Sequence, residues 1–113
     1  MADPIRTKML ATIGSQGTGV AAGVTVTLAA QANRRIVLEA WHGSGDLAAT
    51  VIVNYTKAGV ATAVSKRFTG SWFWDAYFAP GAIIGDVNTP ITVVISASTA
   101  NCELEADGFL ISG

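Results

Sequence analysis

Short runs of alternating apolar and polar residues are the most regular pattern in this sequence. Residues 24–28 carry three apolar side chains at alternate positions with threonines between them, and residues 91–95 also have apolar side chains at every second position. Alternation with a period of two is typical of a strand with one buried face. Apolar residues do not recur at helical spacing over the length of a helix. The sequence therefore predicts an all-β fold, a compact antiparallel β-sandwich that is jelly-roll-like, with turns at the intervening glycines and prolines.

The same pattern predicts the individual elements. Strands are expected over residues 23–28, 35–42, 48–57, 60–68, 91–98 and 102–112. A hairpin turn is expected at Lys57-Ala58-Gly59. In the second of these strands, strict alternation predicts Ile36, Leu38 and Ala40 on the inner face and Val37, Glu39 and Trp41 on the outer face.

The first 22 residues have a different character. Residues 1–22 are predicted to form an extended N-terminal arm that ends in a glycine-rich loop at Gly14–Gly19, and residues 23–113 the β-sandwich domain. The loop lacks the Gly-Lys-Ser/Thr ending of a phosphate-binding loop. Four side chains of the arm are candidates for contacts with a partner, two as cations and two as apolar anchors: Arg6, Lys8, Met9 and Leu10.

Most of the large aromatic residues lie in one segment, which contains Trp72, Phe73, Trp74, Tyr77 and Phe78. On an extended strand Trp72 and Trp74 share one face and Phe73 takes the other, so both faces need to be covered. Cover from within the domain is one interpretation. The other is an interface with another chain, or with a ligand, formed by these five residues.

Composition favours an assembly component. Charged residues make up 13% of the 113 residues, about half the usual share, and half of the chain is apolar. A chain of this composition either has an unusually apolar surface or covers part of its surface with neighbouring chains, and the second is typical of an assembly component. With a net charge of −1 and no basic run, we expect no binding to nucleic acid or to a membrane surface. The sequence shows neither a signal-peptide pattern nor an apolar run of about 20 residues, so we expect synthesis in a cytoplasm.

The candidates for chemistry are few. His42 and Cys102 form the only possible Cys–His pair, and we expect no catalytic use of it, no metal site and no cofactor. Glu103, Glu105 and Asp107 alternate on the last strand and share a face. They could hold a cation or act as an acid–base pair, but a solvated face, or pairing with arginine and lysine side chains, is the simpler interpretation. The cations considered for that pairing are Arg34, Arg35, Lys66 and Arg67.

A sugar-binding platform is a further possibility. Such platforms combine exposed aromatic rings, which stack on sugars, with polar side chains that donate or accept hydrogen bonds. Trp41, Trp72 and Trp74 would supply the rings, and Asp75 and Asn54 the polar groups.

The order of these strands and turns resembles the small head decoration, or cement, proteins of tailed bacteriophages. The resemblance is carried by Val24–Leu28, Arg34–Leu38, Val51–Val53, Phe78–Gly81, Asn88–Ile95 and Leu104–Phe109. It implies an antiparallel sandwich, often a homotrimer, that sits on the outside of the capsid over junctions between major capsid protein subunits. It also implies no catalysis and no cofactor. The alternative function is a carbohydrate- or receptor-binding module of a phage fibre or tail.

Overall fold

The computed structural model describes residues 11–19, 24–79, 81–96 and 102–113. They form eight strands, β1 Ala11–Gly19, β2 Val24–Leu28, β3 Arg34–Gly45, β4 Ala49–Lys57, β5 Val60–Phe68, β6 Trp72–Tyr77, β7 Ile91–Ser96 and β8 Cys102–Ser112. No helix occurs in these ranges. Consequently none of the described residues belongs to a helix with the length and apolar character that crossing a membrane requires.

The strands form two antiparallel four-stranded sheets. The first sheet has the order β1-β8-β3-β6 and the second β2-β7-β4-β5. The β4–β5 hairpin is central, and the pairs β3–β6, β2–β7 and β1–β8 follow outward from it along the chain. The chain is therefore one long hairpin that is folded over into two sheets. That is the connectivity of a jelly roll. The all-β, jelly-roll-like sandwich predicted from the sequence is confirmed.

The core lies between the two sheets and is built by the alternating residues. On β2, β4 and β7 every second residue is buried, as the alternation predicted. Cys102, Leu104 and Ala106 of β8 complete the core from the first sheet. The β4–β5 hairpin is also confirmed, and both turn residues, Ala58 and Gly59, have positive φ angles, as a two-residue hairpin turn of this hand requires.

A β-bulge on β3 overturns the predicted side of Trp41. Leu38 pairs with Gly108 and Ala40 with Asp107, so Glu39 is an extra residue that shifts the alternation by one position. Trp41, predicted to face outward, is therefore buried in the core beside Ile36 and Leu38. Val37 does lie apart from that core, but it is fully buried in a second small cluster with Phe109 and Ile111.

The glycine-rich segment is a second correction. Gly14–Gly19, predicted to be a loop, belongs to β1 and pairs with β8 from Gly14↔Asp107 to Gly19↔Cys102. The backbone ladder to β8 holds this segment as a strand, and backbone hydrogen bonds between distant segments leave no periodic pattern in the sequence. The proposed contact residues Arg6, Lys8, Met9 and Leu10 lie outside the described residues.

Candidate interaction surface

Strands β5 and β6 are the last strands of their sheets, and a short turn at Thr69–Ser71 joins them. They therefore lie on the same side of the sandwich, which we call the open edge. The exposed large apolar side chains concentrate there. Those on the open edge are Val60, Val64, Phe73, Trp74 and Tyr77, and Leu47 is the remaining one among the described residues.

Trp72, the first residue of β6, belongs to the core of the domain. Its ring stacks on Phe68 with 4.3 Å between the centroids and 6° between the planes, and it meets the edge of Trp41. Only 9% of Trp72 is exposed. The ring also lies against Gly43 and Gly45 of β3, which have no side chain to obstruct it. Trp72 was a candidate interface residue, and the structure places it inside one chain.

Trp74 lies on the same face of β6 as Trp72 but is 42% exposed. Its ring meets Phe68 edge-on at 5.9 Å. The ammonium of Lys66 lies 4.6 Å from the centroid of the Trp74 ring, a cation–π contact that keeps the lysine stem over apolar surface. Trp74 therefore forms the boundary between the buried core and the open edge.

Beyond Trp74 the two sheets leave a groove of about 170 Å³. It is lined by side chains of both sheets, chiefly Trp41, Val51, Val53, Val64, Trp74 and Phe78. We call it the edge groove. Phe78 is partly buried and packs on the core. Only the part of its side chain that lines this groove is available to a partner.

The opposite face of β6 carries Phe73, Asp75 and Tyr77. Phe73 is 76% exposed and Tyr77 is 74% exposed. Between them, Asp75 Oδ1 accepts a 2.8 Å hydrogen bond from Nδ1 of His42 on the neighbouring strand β3. The His42 ring also meets Tyr77 at 5.5 Å. This outer patch thus combines two exposed aromatic rings with a carboxylate–imidazole pair.

The acidic residues of β8 lie on the same outer face as His42. Glu103 and Glu105 are exposed, and Asp107 places Oδ2 3.7 Å from Nε2 of His42. The predicted common face of the three acids is therefore confirmed. His42 is the nearest imidazole partner of Asp107, whereas Arg35 lies 4.0 Å from Asp86. Among the described residues no three His, Cys, Asp or Glu side chains are arranged to hold a metal ion.

Cys102 and His42 do not come together. Cys102 points into the core and is buried, and it pairs in register with Gly45. His42 lies on the opposite face of the first sheet and pairs in register with Glu105. The single possible Cys–His pair is therefore separated by the sheet.

The predicted sugar platform does not exist in the predicted form. Trp41 and Trp72 are buried, so Trp74 alone of the three indoles is available at the surface. The sequence named His42 and Lys66 only for other roles and Val64 for none, so it predicted none of the three at an interaction surface. The available signal was the edge position of β5, since Val64 and Lys66 alternate with Phe68 and share its inner face.

No protein-family model, curated protein or solved structure matches this chain. Function is therefore inferred from the residues and their geometry.

Proposed function

We propose that this chain is a structural protein of a phage particle without enzymatic activity. It binds the outside of the head and stabilises contacts between neighbouring major capsid protein subunits. Self-association, as a homotrimer, is part of the proposal. The observation that carries it is the cluster of exposed aromatic residues Phe73, Trp74 and Tyr77 on one edge of an otherwise well-packed sandwich. Aromatic anchors of this kind dominate the binding energy of protein interfaces.

Two further observations support an assembly role. Charged residues make up only 13% of the chain, and depletion of charged residues is a feature of interface centres. The jelly-roll connectivity also occurs in viral capsid domains, an analogy of fold that adds weight without deciding function. The pattern of strands and turns that resembles the phage decoration proteins supplies the specific assignment to a virion.

The proposal is tested with heads assembled from the major capsid protein of the phage whose genome encodes this chain. We expect the purified chain to sediment with these heads at a saturating, fixed ratio and to raise the temperature at which they disassemble. Native mass spectrometry of the free chain should show a small oligomer. Failure to sediment with the heads at micromolar concentrations would contradict the proposal.

The second candidate, a carbohydrate- or receptor-binding module, is favoured by the outer patch. Phe73 and Tyr77 stand on either side of Asp75 on one exposed face, the combination of rings and a polar group that sugar recognition uses. Jelly rolls also serve as lectin domains. A glycan array with the wild-type chain and the Phe73→Ser/Tyr77→Ser variant separates the two. Glycan binding that depends on both rings supports the module, and its absence supports the capsid assignment.

A further inference from the structure

As far as the described residues show, the sandwich is closed on one side and incomplete on the other. At the β1 and β2 side the two sheets contact each other directly. At the open edge the Phe68–Trp72 stack closes one end, but beyond it β5 extends over nine residues opposite a β6 of only six. Val64 on the inner face of β5 is consequently 43% exposed. The edge groove is the space that one more strand of the first sheet would cover.

Among the described strands, β6 is also unpaired on its outer side. It pairs with β3 on one side and is the last strand of its sheet. In an antiparallel ladder, alternate residues turn their N–H and C=O groups away from the neighbour, and here those groups point towards the open edge. Edge strands that avoid pairing usually carry charged side chains, lysine above all, proline or a bulge. Residues 72–77 contain neither lysine nor proline, and their register with β3 is regular. Their one charged side chain, Asp75, lies on the outer face and is hydrogen-bonded to His42.

The positive charges at the edge groove favour a bound polypeptide segment that carries a negative charge. Of the described residues that line the groove, Lys66 is the charged one, and it is exposed and held over the Trp74 ring. Arg67 follows on β5 and lines the cleft at the β5–β6 turn. A segment that carries a carboxylate would meet these cations, and apolar side chains at alternate positions would enter the groove.

From these observations we propose that β6 and the edge groove bind an extended segment of a partner protein as an added strand. The segment has apolar side chains at alternate positions and at least one carboxylate that meets Lys66. This is β-augmentation, in which backbone hydrogen bonds supply affinity and the groove supplies specificity. The inference rests on the proposed function, because the segment would belong to the capsid protein to which the chain attaches.

The test uses the full chain and a displayed library of random nine-residue peptides. We expect enrichment of peptides with alternating apolar residues and an aspartate or glutamate. Binding of the enriched peptide should weaken at least roughly tenfold in Val64→Lys, which places a charge in the groove. The matched control is Val60→Lys, because Val60 lies on the same strand, is 63% exposed and does not line the groove. The control should bind as the wild type does.

A backbone test separates strand addition from simple side-chain docking. The enriched peptide is synthesised with single N-methyl groups at successive positions, each removing one backbone donor. We expect N-methylation at alternate positions to abolish binding and the intervening positions to tolerate it. Tolerance at every position, no enrichment, or equal binding by Val64→Lys and the wild type would each overturn the proposal. A lower native mass for Val64→Lys without any peptide would identify a second copy as the occupant and would also overturn it.

The head-binding assay keeps this inference distinct from the proposed function. If the wild type and Val64→Lys sediment equally with heads, the added strand is wrong and the capsid assignment stands. If the peptide results hold but no head binding occurs, the groove accepts a strand and the partner is a different protein, which contradicts the capsid assignment alone.

Discussion

The Nε1 atom of Trp72 lies 2.7 Å from the position that a Cβ atom on Gly45 would occupy. The indole therefore fits against β3 because residue 45 has no side chain. Gly43 gives the same ring a second such contact, at 3.0 Å. Phe68 stacks on the same indole with 4.3 Å between the centroids, so a shift of the ring would disturb that stack.

We expect Gly45→Ala to destabilise the fold by about 1–3 kcal/mol, because the added methyl group must displace a tightly held ring. Urea unfolding followed by tryptophan fluorescence measures the change. Gly70→Ala is the matched control, since nothing lies within 4 Å of a Cβ at that position, and its stability should stay within about 0.5 kcal/mol of the wild type. Equal stability of the two variants would contradict the described position of Trp72.

Gly108 is the residue on which the β3 bulge depends. A Cβ there would clash with the carbonyl oxygen of Val37, and this neighbour is backbone, which cannot rotate away. We expect Gly108→Ala to cost about 3 kcal/mol or more, measured by thermal unfolding. At Gly14 the nearest atom to a Cβ is 3.6 Å away, so Gly14→Ala should have little effect. A stable Gly108→Ala protein would mean that the β3–β8 register is different from the one described.

The bulge also explains what the sequence could and could not predict about this fold. Strands β2, β4 and β7 keep strict alternation, so their buried residues follow from the pattern. In β3 the extra residue Glu39 reverses the faces beyond it, and Trp41 becomes core. The bulge depends on the close approach of β8 to β3, and these two strands are far apart in the sequence. The apolar–polar pattern within β3 alone therefore cannot predict where the bulge lies.

The limits at the candidate site have a similar cause. The sequence identified the aromatic segment and its two faces, but it could not decide which rings the domain itself covers. Trp72 is covered because the β5–β6 turn brings Phe68 onto its ring and because Gly43 and Gly45 leave space for the ring on β3. The glycine-rich β1 was predicted as a loop because its strand character comes from pairing with β8 and not from its own residues.

Trp72 and Trp74 should respond differently to truncation. Trp72 is buried, so Trp72→Ala should cost about 3–5 kcal/mol of folding stability. Trp74 is partly exposed, so Trp74→Ala should cost about 1 kcal/mol of folding stability while it weakens association by about 2 kcal/mol. Chemical unfolding and native mass spectrometry on the same samples separate the two effects. If Trp74→Ala unfolds as readily as Trp72→Ala, Trp74 is a core residue and not part of an interface.

Asp86 should make the free energy of unfolding depend on pH in the acidic range. Its carboxylate accepts hydrogen bonds from the N–H groups of Gly59 at 2.8 Å and Ala58 at 2.9 Å, and these bonds lower its pKa below the ordinary 3.8. Because the folded state has the lower pKa, this stabilisation is present above about pH 4 and is lost as the pH falls further. Arg35, 4.0 Å away, favours the ionised form as well.

We therefore expect the wild type to lose more stability than Asp86→Asn between about pH 5 and about pH 3, measured by urea unfolding at each pH. At neutral pH, Asp86→Asn should be the less stable of the two. Asp46→Asn removes an exposed aspartate from the β3–β4 connection and serves as the control, which should keep the wild-type pH dependence. Identical pH profiles for the wild type and Asp86→Asn would show that the β4–β5 turn does not depend on this carboxylate.

The central claim is that the exposed rings of β6 make contacts between proteins and do not serve the fold of the single chain. The most direct measurement compares the wild type with Phe73→Ser/Tyr77→Ser, using sedimentation with phage heads and thermal unfolding of the same preparations. Both rings are largely exposed, so the variant should keep its melting temperature to within about 4 °C. Its binding to heads should fall by at least roughly tenfold. Undiminished binding by a fully folded variant would contradict the claim.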